Sequence, residues 1–234
     1  MSTRFSGFPP EALKFFRDLR KNNNRDWFQP RKALFEEQVK RPMRELVEAL
    51  NRAFATFAPE YVTDPDKAVY RIYRDTRFSP DKTPYKDHIA ASFRRRGPAA
   101  QGEGGFYVAV SDQEAAIGGG VYAPSPEVLL AIRQHIAGKH EEMRKILRTA
   151  AVRKLLGEVQ GEKLTRVPKG FAADHPAADL LRFKSYILYA TLPPEVAATP
   201  EFYGEILKRF RAMTPFLTFL SAHKGKIARP RRMD

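Results

Sequence analysis

The apolar positions along the chain change period twice. Leu13, Phe16 and Leu19 recur every three residues, the spacing that puts them on one face of a helix. Pro9 and Pro10 can open that helix with Glu11 in its first turn, and Asn22-Asn23-Asn24 stops it. Asp26, with Gln29 three residues on, predicts the N-cap of a second helix through Phe35 and Val39. Pro42 breaks or kinks it, and Leu46, Leu50, Phe54 and Phe57 carry a buried stripe on to Ala58-Pro59. The pattern then turns to strands over residues 69–74, 88–93, 106–111 and 114–122, the last two forming a hairpin across Asp112-Gln113. Helical spacing returns at Ser125-Pro126-Glu127, with a stop at Gly138 and a further helix over 139–156 that ends at Gly157. Asp174 and Pro176 open a short helix to Phe183, and residues 186–192 read as a strand. Thr199-Pro200-Glu201 starts a helix with Phe202, Ile206, Phe210 and Met213 inside, and Thr214-Pro215 starts the last.

Helices, then consecutive strands, then helices with one late strand define the α+β class. The prediction is a central, largely antiparallel sheet packed with helices from the N- and C-terminal parts. No break in composition divides the chain, so residues 1–224 read as a single domain. Residues 225–234 read as a basic, disordered tail, because Ile227 and Met233 are too little apolar surface to offset ordering.

With 234 residues, 43% of them hydrophobic, the chain can bury a core without staples. It has no cysteine, which excludes disulfides, thiolate catalysis and cysteine-based metal sites. The start carries no apolar signal core, and no run approaches the ~20 apolar residues that span a bilayer. The expectation is a cytoplasmic protein without a membrane partner. The formal net charge is +14, and residues 71–96 and 224–234 together carry 9 of it. That bias points to an anionic small molecule or nucleic acid as partner.

Familiar chemical signatures are missing. Gly118, Gly120 and Ala123 satisfy G-x-G-x-x-A, but Pro124 follows at once and no helix opens within the motif. A glycine-lined strand that admits a close neighbour is the better reading. His135 and His140 are five apart, which is not metal-protease spacing, and no metal site is predicted. No cofactor or oligomeric state is indicated. His88 is the histidine best placed for acid/base work, since it directly follows the loop described next.

That loop spans residues 74–87. Arg74, Arg77, Lys82 and Lys86 lie within thirteen positions, and Pro80 and Pro84 restrict the backbone between them. Arginine offers a planar fork to phosphate or carboxylate, and lysine a point charge. Phe78 and Tyr85 can pack the loop down or stack on a planar ligand. Asp75 and Asp81 can orient the cations or act as acid and base. Three readings stand open: a pocket for a phosphate-bearing or other anionic ligand, an ion-pair network that latches the loop, and a nucleic-acid-binding module using the whole basic surface.

The order Arg74-Asp75, Arg77-Phe78-Ser79, Asp81-Lys82 and Pro84-Tyr85-Lys86 resembles the hallmark of a bacterial family catalogued as domain of unknown function 2461. Asn22-Asn23-Asn24-Arg25-Asp26-Trp27-Phe28, Gly105-Phe106-Tyr107 and Gly118-Gly119-Gly120-Val121-Tyr122 are similar to further motifs of that family, as is Leu181-Arg182-Phe183-Lys184. Asp26 departs from the glutamate common there, and Arg94-Arg95-Arg96 is outside the pattern. The resemblance identifies relatives and implies no reaction. The residues expected to bind ligand are therefore Arg74, Arg77, Lys82, Tyr85, Lys86 and Lys184, with Asp75 and Asp81 as the acid/base pair if chemistry occurs.

Overall fold

A computed structural model describes residues 5–96 and 104–223. The predicted tail, 225–234, lies outside the described residues.

Helix α1 (Pro10–Lys21) buries Ala12, Phe15, Phe16 and Leu19, and basic Arg20 and Lys21 occupy its negative C-terminal end. The three asparagines that follow do three different things. Asn22 caps α1, its backbone N–H reaching the Leu19 carbonyl at 3.0 Å. Asn24 caps the short α2 (Arg25–Phe28), its Oδ1 accepting from the Trp27 N–H at 2.9 Å. The cap is thus Asn24 and not the expected Asp26, because Asn24 holds the extended backbone that a cap requires. Asn23 is left for the site described below. Helices α3 (Lys32–Phe35) and α4 (Arg41–Phe57) are joined through a π-turn at Glu36–Lys40. Pro42 therefore neither ends nor breaks the helix; the wider turn ahead of it relieves the clash of its ring with the preceding carbonyls. A short α5 (Pro65–Ala68) leads to the sheet.

The sheet is an antiparallel meander in the order β1 (His88–Arg94), β2 (Gly105–Ser111), β3 (Ala115–Val121) and β4 (Tyr186–Leu192). The strand expected over 69–74 does not form. Val69 and Tyr73 make isolated bridges to Ala91 and Tyr85, and the chain between is irregular. Its pairing partner includes Pro84, which has no N–H to donate to a ladder. Between β3 and β4 run α6 (Pro126–Leu147), α7 (Ala150–Leu155) and α8 (Ala178–Leu181). Gly138 is not a stop; α6 kinks at Lys139 and continues, and Thr149 caps α7 separately. Helix α9 (Glu201–Ser221) runs straight through Pro215, where a new helix was expected. Phe216, Leu217 and Leu220 stay buried beyond it, and the Thr214 hydroxyl donates to the Phe210 carbonyl at 2.8 Å.

One face of the sheet is the core. Phe54 of α4 stacks on Phe106 of β2 (5.1 Å between centroids) and on Phe210 of α9 (5.7 Å), so helices from both ends of the chain meet over the same strands. A single hydrophobic cluster runs from Phe5 to Leu220. Gly119 lets α9 approach: a Cβ there would stand 2.4 Å from Met213 Sδ. The other face carries Ala90, Ala109 and Ala116 in a cross-strand row, bordered by Tyr70, Tyr107 and Tyr189. Among the described residues only those tyrosines pack against the row, and it is the feature of the fold that positions a site.

Candidate functional site on the open face of the sheet

The charged loop is built largely from its own contacts. Asp75 closes a turn by accepting from the Arg77 N–H (3.3 Å) and holds the Arg77 guanidinium at two points, 3.0 and 2.8 Å. Asp81 does the same one step along, accepting from the Thr83 N–H (2.9 Å) and hydroxyl (3.0 Å) and binding Arg74. Lys82 donates to the Thr76 carbonyl and Lys86 to the Arg71 carbonyl, each at 2.9 Å. The guanidinium of Arg74 holds the carboxyl of Asp81 down to about 2, and Arg77 holds that of Asp75 below the usual range. Both are acceptors already in use, which makes them weak bases. The Arg77 and Asp75 side chains are 76% and 46% exposed, and Phe78 at the tip is 93% exposed.

Tyr85 stands apart from the expectation that it walls a ligand pocket. It is 1% exposed, and its ring stacks on Phe28 at 4.1 Å. Its backbone N–H and C=O are both taken by the side chain of Asn23, at 3.1 and 2.9 Å. A single carboxamide thus stands in for a neighbouring strand and ties the loop to the end of α1. Lys184, expected to join the same site, pairs instead with Glu162 before β4.

Where the loop ends, the open sheet face begins. Lys86 places its ammonium 5.2 Å from the Tyr70 ring centroid, and Tyr70 borders the alanine row. Asp87 and His88 come next and line a cavity of about 480 Å³ with Tyr107, Glu114 and Tyr189, over Ala109 and Ala116. Asp87 Oδ1 lies 2.9 Å from His88 Nδ1. A carboxylate can only accept, so Nδ1 carries the hydrogen, and in the neutral tautomer Nε2 is the acceptor. The His88 bond, with a smaller contribution from Arg20, holds the Asp87 carboxyl below its usual range. Arg20 itself is paired with Asp112 in the β2–β3 turn, which ties α1 to the rim.

Tyr107 and Tyr189 are neutral donors at ordinary pH. Burial pushes Tyr107 up to about 12, with Tyr189 and Tyr70 adding to it. Burial, and then Glu114, do the same for Tyr189, whose hydroxyl donates to Glu114 Oε1 at 3.2 Å. The Tyr189 ring lies over Gly118, where a Cβ would come within 2.9 Å of it. Sequence reasoning picked out His88 and the glycine-lined strand but not Tyr107, Glu114 or Tyr189. The available signal was the run of small residues at alternate positions, Ala90 with Ser92, Ala109, and Ala116 with Gly118. Such a run leaves a trough on one face of a sheet.

Three of the stretches that resemble a known family touch this face: Lys86 at the end of the loop, Tyr107 of Gly105-Phe106-Tyr107, and Gly118 beneath the Tyr189 ring. A family model described as conserved hypothetical protein (DUF2461) matches residues 11–219. The chain belongs to the DUF2461 family. Neither the curated proteins nor the solved structures compared with it gave a match. For this DUF2461 protein, then, the site has to be read from its own chemistry. Among the described residues no helix is long and apolar enough to cross a membrane.

Proposed function

We propose that this protein binds a small ring-bearing molecule, rich in O–H or N–H donors, in the trough on the open face of the sheet. The observation that carries the reading is the Asp87–His88 pair opening onto a cavity of about 480 Å³. Ala109 and Ala116 make a flat floor, and Tyr107 and Tyr189 offer ring edges or faces at its sides. The lining offers Asp87, Glu114 and His88 as acceptors and Tyr107 and Gln113 as donors, while the Tyr189 hydroxyl is committed to Glu114. Two carboxylates suit a neutral or cationic ligand better than an anion. If the bound molecule carries an acidic proton near His88, the imidazole can remove it as general base, with Asp87 fixing the tautomer.

The anionic ligand expected at the charged loop has less support. Arg74, Arg77, Lys82 and Lys86 each already donate to a protein oxygen. The loop is better understood as a latch that frames the trough.

A ligand-observed NMR screen of sugars, nucleosides and aromatic amines tests the reading. Hits are expected for the parent protein. Ala109→Leu, which fills the floor of the cavity, should abolish them, with circular dichroism confirming that the variant folds. His88→Gln should weaken them. Hits that bind Ala109→Leu as well as the parent would overturn the proposal.

A further inference from the structure

A second cavity, of about 630 Å³, lies away from the open sheet face, between the end of α6, α7 and the segment leading through α8 to β4. Arg144, Arg148, Arg153 and Lys163 line it, against only two carboxylates, Asp179 and Glu158. The charges are not evenly matched. Arg144 is satisfied by Asp179, at 2.7 and 3.2 Å, and by the Pro176 carbonyl at 2.8 Å. Arg148 and Arg153 have no side-chain hydrogen bond or ion pair among the described residues. Lys163 holds its ammonium 4.3 Å from the centre of the Phe183 ring. That ring is 4% exposed, a fixed apolar wall, and Leu180 adjoins it.

A buried cation stands behind this wall. Arg133 is 8% exposed and donates from Nη2 to the Phe183 carbonyl at 2.9 Å. Its Nε has no partner. No carboxylate pairs with it among the described residues, so its charge adds to the positive field in the cleft. Arg144 falls on the last turn of α6 with Arg148 as its C-cap, and Arg153 on the last turn of α7, where cations also offset a helix dipole. That explanation does not extend to Lys163 or Arg133, which lie on other turns and segments.

We propose that this cleft binds the phosphate monoester of a small organic molecule. The phosphate would sit among Arg148, Arg153 and Lys163, whose summed charge exceeds that of Glu158 by two, the charge of a phosphate monoester dianion. Arginine forks suit phosphate oxygens at two points each. The cavity is much larger than one phosphate group, and the wall of Phe183 and Leu180 takes the organic part. This site is independent of the trough and stands whether or not the trough binds anything.

The probes are inorganic phosphate and phenyl phosphate, with sodium chloride at matched ionic strength as control, read by thermal shift and by ³¹P NMR titration on the full chain. Saturable binding of both is expected, tighter for phenyl phosphate. Arg148→Gln and Arg153→Gln should each weaken it about tenfold, the effect of losing one charge-assisted bond. Arg77→Gln, in the distant loop, should leave it unchanged. Both cleft variants change exposed side chains, and circular dichroism confirms that they fold. The proposal is overturned if binding does not saturate at matched ionic strength. It is overturned equally if Arg77→Gln weakens binding as much as the cleft variants, or if duplex DNA competes with steep salt dependence, which marks a diffuse basic surface.

Discussion

Replacing Asn23 with alanine removes the tie that holds the family's charged loop against the body of the protein. The carboxamide satisfies both backbone groups of Tyr85, at 3.1 and 2.9 Å, and Tyr85 is 1% exposed with its ring against Phe28. Without it an N–H and a C=O lose their partners together. Each costs about 1–3 kcal/mol if it stays dry. Asn23 is only half-buried, so a water entering the vacated space recovers part of that. The expected loss is about 2–3 kcal/mol, a large share of the roughly 5–15 kcal/mol that holds a domain folded. Urea unfolding measures it, with the slope unchanged and the midpoint lowered. The neighbours supply the scale. Asn24→Ala removes one helix cap and should cost about 1 kcal/mol. Asn22→Ala removes one exposed bond to the Asp18 carbonyl and should cost under about 0.5 kcal/mol. A loss at Asn23 no larger than that at Asn24 would refute the account of how the loop is held.

Three further outcomes follow from the same contacts. Gly119→Ala drives a methyl to within 2.4 Å of Met213 Sδ, in a core with no exposed surface at that residue, and should cost about 1–3 kcal/mol; Gly138→Ala meets nothing within 4 Å and should gain up to about 1 kcal/mol, both read from thermal midpoints. Arg77→Gln should leave the urea midpoint within error, because its pair with Asp75 is exposed; a large drop would show that the loop depends on that pair. Tyr107, Tyr186 and Tyr189, raised by burial to about 12, should ionise later than exposed tyrosines, as followed by tyrosinate absorbance. The unfolded chain releases those protons near pH ~10, so their contribution to stability is intact below that pH and is lost as pH rises toward 12.

Much of the fold was legible because burial imposes a period on the sequence. The faces of α1, α4 and α9 and the four strands β1–β4 each show it, and the charged loop stood out by composition alone. The misreadings were local rules overridden by packing. Pro215 carries a helix-start signal, yet the apolar residues on both sides of it bury on one continuous face. Residues 69–74 carry strand-like residues, yet strand status needs a partner with a free ladder, which the chain around Pro84 does not provide. Similarly, Asp26 fits a capping box, while Asn24 has the backbone geometry.

The chemistry divides along the same line. By itself the sequence determined which side chains carry charge, which glycines permit close approach and which family the loop resembles, because those properties reside in single residues or short neighbourhoods. It could not determine which cations are free. Arg77 and Arg153 look alike in sequence; one is neutralised by a carboxylate two residues away, and the other faces a cleft formed with segments up to thirty residues distant. The same holds for the trough: Asp87 and His88 are adjacent in the chain, but Tyr107, Glu114 and Tyr189 join them only through strand pairing. Charge and shape are local properties, while neutralisation and enclosure depend on what folding brings alongside, and only the tertiary structure decides that.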